Sequence, residues 1–398
     1  MNAPISRTSS KLRPFGTTIF SEMTALAQQH GAINLAQGFP DFEGPAELVA
    51  AAQQALAEGH NQYARSQGHP ELVAALAAKY RDRHGLAFDA LKEVVVFAGA
   101  TEGIACALLG LLEPGDEVVG FEPYYDSYPV AIALAGGVAR WCPLRFPDFA
   151  LDVAALERCF TPRTRVLLLN TPHNPTGKVF SREELAAISA LCRRRDVLVV
   201  ADEVYEHLTY DGAVHVPIAT LPGMRERTLT LSSGGKTYSM TGWKIGWGVG
   251  PAPLVAAAQS AQQYVTFAVA TPLQVAMARA IARLGEPYFA ELERAYGERR
   301  AFLLDVLRRV GFAPAAPQGA YFVLADFTAK FPPAQHGDDR ALAKQLVVER
   351  RVAAIPPSVF YAGCDDGRRL LRFAFCKKME TLRAAAERLL ASGGLAAS

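Results

Sequence analysis

VLLLNTPHNPTGKVFSREELAAISALCRRRDVLVVA, residues 166–201, is the stretch that decides the fold. Two apolar runs, VLLLN at 166–170 and VLVVA at 197–201, flank a segment of helical period in which Leu185, Ile188, Leu191 and Cys192 share one face. Ser181 stands where an N-cap is expected. Strands buried on both faces need uninterrupted apolar runs, so the stretch reads as a βαβ unit of a mainly parallel sheet.

The same alternation extends outward. VVVFA at 94–98 predicts a strand, GAT at 99–101 a turn, and 102–112 a helix with Ile104, Leu108, Leu111 and Leu112 on one face. EVVGF at 117–121, LTLS at 229–232 and IGWGV at 245–249 predict further strands. Beyond residue 285 the pattern changes to a long charged helix through 291–309, YFVLADF at 321–327, a helix near 339–351 and RLLRFAF at 369–375, an α+β arrangement. GFPDFEGP at 38–45 reads as loop. The chain's 398 residues exceed one ordinary core, and the expected division is an arm with part of a small domain over 1–45, a large α/β domain over 46–285, and the rest of the small domain over 286–398.

Composition narrows the function. Half the residues are hydrophobic and a fifth charged, and a formal net charge of +2 gives no nucleic-acid footprint. Arg193, Arg194 and Arg195 end the predicted helix, where cations complement its dipole. The six cysteines have no CxxC spacing, so reduced, mostly buried thiols are expected, with no metal site and no disulfide framework. MNAPISRTSSKLRPFG lacks the apolar core of a secretory signal, and no run of about 20 apolar residues offers a membrane span; a cytoplasmic protein is expected.

Chemistry concentrates in SSGGKTYSMTGWK at 232–244. Small residues let a bulky ligand approach the backbone, and a lysine that must attack an aldehyde needs its pKa pulled far below about 10.4 by desolvation or neighbouring positive charge. Lys236 sits where both could act, although on this motif alone Lys236 and Lys244 also fit ordinary surface lysines on a glycine-rich loop. ADEVYEH at 201–207 puts Asp202 just past a buried strand, the edge where open α/β sheets bind ligands; a helix N-cap is the other reading.

S-x-x-K followed by TGWK resembles the cofactor signature of the class I and II aminotransferases, and the resemblance covers nearly the whole chain. It implies the fold type I architecture, with pyridoxal 5'-phosphate carried on Lys236 as a Schiff base and Lys236 then acting as the general base at Cα. It places Ser233 and Lys244 on the phosphate and Asp202 against the pyridine nitrogen, where a carboxylate favours the protonated ring and strengthens it as an electron sink. Glu203 receives no role.

NTPHNPTG at 170–177 resembles the family's asparagine-proline loop, which implies hydrogen bonds from Asn174 and Tyr205 to the ring oxygen; His173 reads as a satisfied polar side chain. The GAT turn offers Ala100 and Thr101 to the phosphate, with Thr101 fitting an N-cap equally well. EPYYDSY at 122–128 matches the region whose aromatic stacks on the ring, in the register of Tyr125 rather than Tyr124. Arg372 resembles the arginine that grips the substrate α-carboxylate, for which a guanidinium fork is suited; a strand-edge arginine in a solvated pair is the alternative. Gly38 fits the loop that meets the same carboxylate, with Asn174 and Tyr125 beside it. Tyr63 matches a tyrosine reaching the neighbouring subunit's phosphate, which implies a homodimer with shared sites.

Ping-pong transfer of an amino group between an amino acid and a 2-oxo acid follows as the expected activity. GFPDF at 38–42, TPHNPTGKVF at 171–180 and QQYVTF at 262–267 are most similar to the methionine, glutamine, aromatic and kynurenine aminotransferase branch, which implies an aromatic pocket of Phe15, Phe39, Tyr125, Tyr264 and Phe267; core packing is the other reading for most of them. The competing expectations are C–S β-elimination, transamination of N-succinyl-diaminopimelate with Arg65 as the extra cation, and a non-catalytic binding or regulatory protein of the same fold. No nucleotide-binding glycine motif follows a strand.

Overall fold

The computed structural model describes residues 8–391, so the expectation for the first seven residues lies outside the described part. A seven-stranded sheet is built from β1 (Val94–Phe97), β2 (Glu117–Glu122), β3 (Val138–Pro143), β4 (Thr164–Asn170), β5 (Leu198–Asp202), β6 (Thr228–Ser233) and β7 (Gly246–Val249), in the spatial order β1-β7-β6-β5-β4-β2-β3. All run parallel except β7, which is antiparallel to both neighbours. An apolar run carries no direction. β7 is reversed because it follows β6 through a short connection at the same sheet edge, with no crossover to bring the chain back.

Helices cover both faces. Among them are α1 (Pro70–His84), α2 (Ala100–Leu111) and α3 (Arg182–Arg195), while α4 (Glu286–Val310) serves the smaller sheet. Ser181 and Glu184 close a reciprocal capping box at the start of α3, and Asp196 ends it in the left-handed conformation. Leu185, Ile188, Leu191 and Cys192 of α3 pack on Val119, Leu167, Leu169 and Val199. The alternate side chains Val118, Val166, Leu168, Val200 and Leu231 meet Ile104 and Leu108 of α2 on the opposite face. Each such burial contributes roughly 1.5–3 kcal/mol, which makes this sandwich a rigid floor.

β8 (Ala313–Pro314), β9 (Phe322–Asp326) and β10 (Leu370–Ala374) form an antiparallel sheet in the order β10-β9-β8, with Leu324 opposite Arg372. Leu303, Leu304 and Leu307 of α4 join Phe373, Phe375 and Val323 in its core. Residues Ile33 and Asn34 pair in parallel with Val352 and Ala353, and Ile355 exchanges backbone hydrogen bonds with Arg372 at 3.0 and 2.9 Å. This pairing hangs the segment that leads to Gly38 on the C-terminal part of the chain.

Candidate active site

A cavity of about 290 Å³ opens beyond the C-terminal ends of the parallel strands, between the large sheet and β9–β10. β1 leads to Gly99 and Ala100, β2 to Tyr125, β4 to Asn174, β5 ends in Asp202, and β6 ends in Ser233, three residues before Lys236. The fold therefore delivers side chains far apart in sequence to one edge. Lys236, Asp202, Tyr205, Asn174, Tyr125, Ala100, Thr101, Ser233, Lys244, Arg372 and Gly38 all line the cavity, and Tyr63 does not.

One end is an anion seat. Gly99 takes φ +82°, which an L side chain rarely adopts, and α2 starts at Ala100. Thr101 therefore lies inside the helix, and the cap is Gly99, not Thr101. A Cβ on Gly99 would stand 3.0 Å from the Lys244 ammonium, so Lys244 is held at the N-terminus of α2, where the backbone N–H groups and the dipole also favour negative charge. Gly246 allows that approach, since a Cβ there would come within 2.5 Å of the Gly99 backbone. Ser233 completes the wall.

Asp202 lies deeper. It is followed by a turn, not a helix, so the N-cap reading falls. Tyr128 Oη donates to Asp202 Oδ2 at 2.7 Å and the Val204 N–H approaches Oδ1 at 3.4 Å. Burial pushes the carboxyl up to about 6, against those two hydrogen bonds and the charge of Lys236. Asn170 ties this region together: its Nδ2 donates to Asp202 O at 2.9 Å and its Oδ1 accepts from the Asn174 N–H at 2.7 Å.

Lys236 Nζ lies 3.4 Å from Gly38 O and over the rings of Tyr205 and Tyr321, at 5.8 and 5.5 Å from their centroids. Burial lowers its pKa to about 8; Cys376 and Asp202 oppose the fall, while Lys244 and Arg372 add to it. The amine is thus half neutral near pH 8, where an ordinary lysine would be almost wholly protonated, and the neutral fraction is the nucleophile for an aldehyde.

Arg372 occupies the far wall. Only 1% exposed, it donates from Nη1 to Asn174 Oδ1 at 3.2 Å and from Nη2 to Ala36 O at 2.9 Å, while Nε has no partner. Its guanidinium stacks 4.2 Å from the Phe322 centroid. Among the described residues no carboxylate forms an ion pair with it, and burial lowers its pKa to about 10. The solvated-pair alternative is therefore excluded. A buried cation left without an acid is costly unless an anionic ligand completes it.

Together these features fit a flat aromatic aldehyde bearing a phosphate: an anion seat at Gly99 and Lys244, a buried carboxylate at Asp202, a neutralised amine between them, and a free guanidinium for a carboxylate substrate.

Sequence reading missed Tyr128, Asn170, Phe20, Gln37 and Phe322, all on the cavity wall. Tyr128 stood in the quoted aromatic run EPYYDSY; Phe20 and Gln37 carry no motif. The expected aromatic pocket is also redrawn. Phe39 and Tyr125 reach the cavity, but Phe15 lines a neighbouring groove, and Tyr264 and Phe267 are exposed and off the cavity. Arg65 is exposed and off the cavity. His173 is buried neutral, its pKa pushed down to about 3 by burial, with Nδ1 2.8 Å from Thr176 Oγ1. The six cysteines are free, and the described residues hold no metal-ligating cluster and no helix long and apolar enough to cross a membrane.

The family described as aminotransferase class I and II matches residues 30–389. A probable N-succinyldiaminopimelate aminotransferase of Mycobacterium tuberculosis is 46% identical over 96% of this chain and 98% of its own. A methionine aminotransferase of Escherichia coli is 43% identical over 96% and 97% of the two chains. A solved structure of the N-succinyldiaminopimelate aminotransferase from M. tuberculosis superposes with a TM-score of 0.92 at 45% identity, covering 96% of this chain and 99% of that one.

Proposed function

The chain belongs to the class I and II aminotransferases, and from that premise we propose that it moves the amino group of a neutral, apolar or aromatic amino acid to a 2-oxo acid by a ping-pong mechanism. It is an aminotransferase, and members of its family use pyridoxal 5'-phosphate. The observation that carries the substrate reading is Arg372, a single buried guanidinium with no acid partner among the described residues, flanked by Phe20 and Phe322 on the cavity wall. The charged residues lining the cavity are Asp202, Lys236, Lys244 and Arg372. Each has a partner in the cofactor or the α-carboxylate, which leaves Phe20, Gln37, Phe39, Ile104 and Phe322, mostly apolar, for the substrate side chain.

When bound, pyridoxal 5'-phosphate supplies an aldehyde that carries the amino group and a ring that takes up the electrons left at Cα. Ser233, Lys244 and the N–H groups of Ala100 and Thr101 would hold the phosphate. Asp202 would keep a proton at the ring nitrogen, Asn174 and Tyr205 would donate to the ring oxygen, and Tyr125 would cover the ring face. Arg372, with the Gly38 backbone, fixes the substrate carboxylate and so aims the Cα–H bond at Lys236, which takes the proton. Because one seat receives donor and acceptor in turn, Arg372 serves both half-reactions.

A homodimer belongs to the same reading. Tyr63 is 83% exposed, edge-on to Phe267 at 5.2 Å and turned away from its own cavity, as a side chain destined for a second subunit's phosphate would be. Kinship to the M. tuberculosis protein favours a second reading, in which a succinylated diamino diacid is the donor. Steady-state rates with L-methionine, L-phenylalanine, L-kynurenine, L-glutamine and N-succinyl-diaminopimelate test the choice. Neutral donors are expected to show the highest kcat/KM; a succinylated donor ahead by about tenfold, equal to about 1.4 kcal/mol, establishes the second reading instead.

A further inference from the structure

Behind the cavity, on the other side of β6, lies a buried polar cluster that the proposed reaction does not use. Its centre is Glu206, whose side chain is 2% exposed. Glu206 Oε1 accepts from Lys79 Nζ of α1 at 2.6 Å and from Ser232 Oγ of β6 at 2.8 Å. His84 and His207 stand 3.8 and 3.7 Å from Oε2, and His207 stacks on Phe289 with ring centroids 3.9 Å apart. The Lys79 ammonium also lies 5.3 Å from the Trp247 ring of β7.

The placement of Glu206 matters more than its energy. Successive strand residues face opposite sides, so Ser233 enters the cavity while Ser232 points back to Glu206. Likewise Tyr205 faces the cavity and its neighbour Glu206 faces away. One carboxylate thus pins the turn after Asp202, which carries Tyr205, to the strand that carries Ser233 and, three residues on, Lys236. The ladder between β5 and β6 already sets Asp202 opposite Leu231, and Glu203 N–H donates to Leu231 O at 2.8 Å; beyond it the turn closes on itself through Glu206 N–H to Glu203 O at 3.0 Å, and the Glu206 side chain joins it to Ser232. Burying an ion pair merely to hold a fold gains little over apolar packing, whereas fixing two functional segments to each other requires directional bonds.

We infer that Glu206, with Lys79 and Ser232, is a positioning unit that sets the Tyr205 turn in register with Ser233 and Lys236 for cofactor binding. The inference rests on the cofactor site described above.

The test compares three variants with the wild-type protein: the Lys79→Met/Glu206→Leu double substitution, Ser232→Ala and Asp202→Asn. For each, the apoprotein's thermal midpoint, its Kd for pyridoxal 5'-phosphate by fluorescence quenching, and the pH midpoint of the loaded protein's visible band are measured. The double substitution removes both charges together and keeps the apoprotein's melting near wild type. Its Kd rises about tenfold or more, since a displacement of about 1 Å in a binding constellation costs that much, and the band's pH midpoint shifts. Ser232→Ala, which leaves the ion pair intact, weakens the cofactor severalfold at an unchanged melting point. Wild-type Kd and band midpoint in the double variant overturn the inference, as does wild-type Kd in Ser232→Ala should the double variant fail to fold. Wild-type Kd in Asp202→Asn would sink the site reading as well, whereas weak binding there with wild-type affinity in the other two sinks the inference alone.

Discussion

Replacing Arg372 by Met separates a substrate-binding arginine from a structural one. The guanidinium now holds two neutral acceptors, Asn174 Oδ1 at 3.2 Å and Ala36 O at 2.9 Å, and leaves Nε without a partner. Met retains the apolar stem against Phe322 and removes a cation that burial already disfavours, as its pKa of about 10 records. Losing two hydrogen bonds to neutral acceptors costs about 1 kcal/mol each, and relief of an unpaired buried charge offsets a similar amount. The apoprotein should therefore melt within about 4 °C of wild type, the shift that about 1 kcal/mol produces in a chain of this size or smaller.

A substrate carboxylate entering without its counter-ion loses about 2–5 kcal/mol, and about 3 kcal/mol corresponds to roughly 150-fold in kcat/KM. Stopped-flow absorbance of each half-reaction reads that loss separately for the amino acid and the 2-oxo acid, and it should fall on both. Arg372→Lys, which keeps the charge without the fork, should lie between. Loss for one partner alone would refute a shared seat. Wild-type kcat/KM for both, or a collapse in melting temperature that accounts for the activity lost, would refute the assignment of Arg372 to the substrate.

Three further outcomes follow from the electrostatics. Capture of pyridoxal 5'-phosphate by the apoprotein, followed by absorbance, should accelerate with rising pH through a midpoint near 8, because Lys236 must shed its proton; a midpoint near 10 would mean that the amine is not desolvated. Asp202 has its pKa raised in the folded apoprotein to about 6, so the stability it contributes relative to Asp202→Asn is fully present below about 4 and lost as pH rises to 6; urea titrations showing no such difference between the two proteins would contradict the burial effect. Tyr128→Phe deletes the 2.7 Å hydrogen bond to Asp202, so the carboxyl of the apoprotein should titrate higher and turnover should fall by about tenfold, as a lost charge-assisted bond of about 1.5 kcal/mol allows; an unchanged rate and pH profile would make Tyr128 a bystander.

How much of this was legible beforehand depended on how local each signal is. The βαβ unit over 166–201 was readable because Ser181, the α3 apolar face and the two flanking runs all act within a few residues. Strand β3 escaped because it sits at the sheet edge, where exposed Arg140 breaks the apolar run that marks a central strand. Tyr125 was separable from Tyr124 by register, and the two do diverge, Tyr124 packing on Trp141 with centroids 4.4 Å apart. By contrast, Phe20 and Gln37 reach the cavity through the pairing of residues 33–34 with 352–353, a contact no local pattern announces. The Glu206 cluster was illegible for the same reason: Lys79, Ser232 and Glu206 come from three separate elements.

The hanging of residues 33–38 on the C-terminal part of the chain also sets an order of events in time. The hydrogen bond between Arg372 and Ala36 spans 336 positions, and Gly38 O receives Tyr321 Oη at 2.6 Å. During synthesis the strands that end in Asp202 and Ser233 can pair while residues 33–38 still have nothing to dock on. Recognition of substrate is therefore the last property the nascent protein acquires: a chain halted before residue 321 holds the sheet that presents Lys236, yet has neither Arg372 nor the partner that seats Gly38.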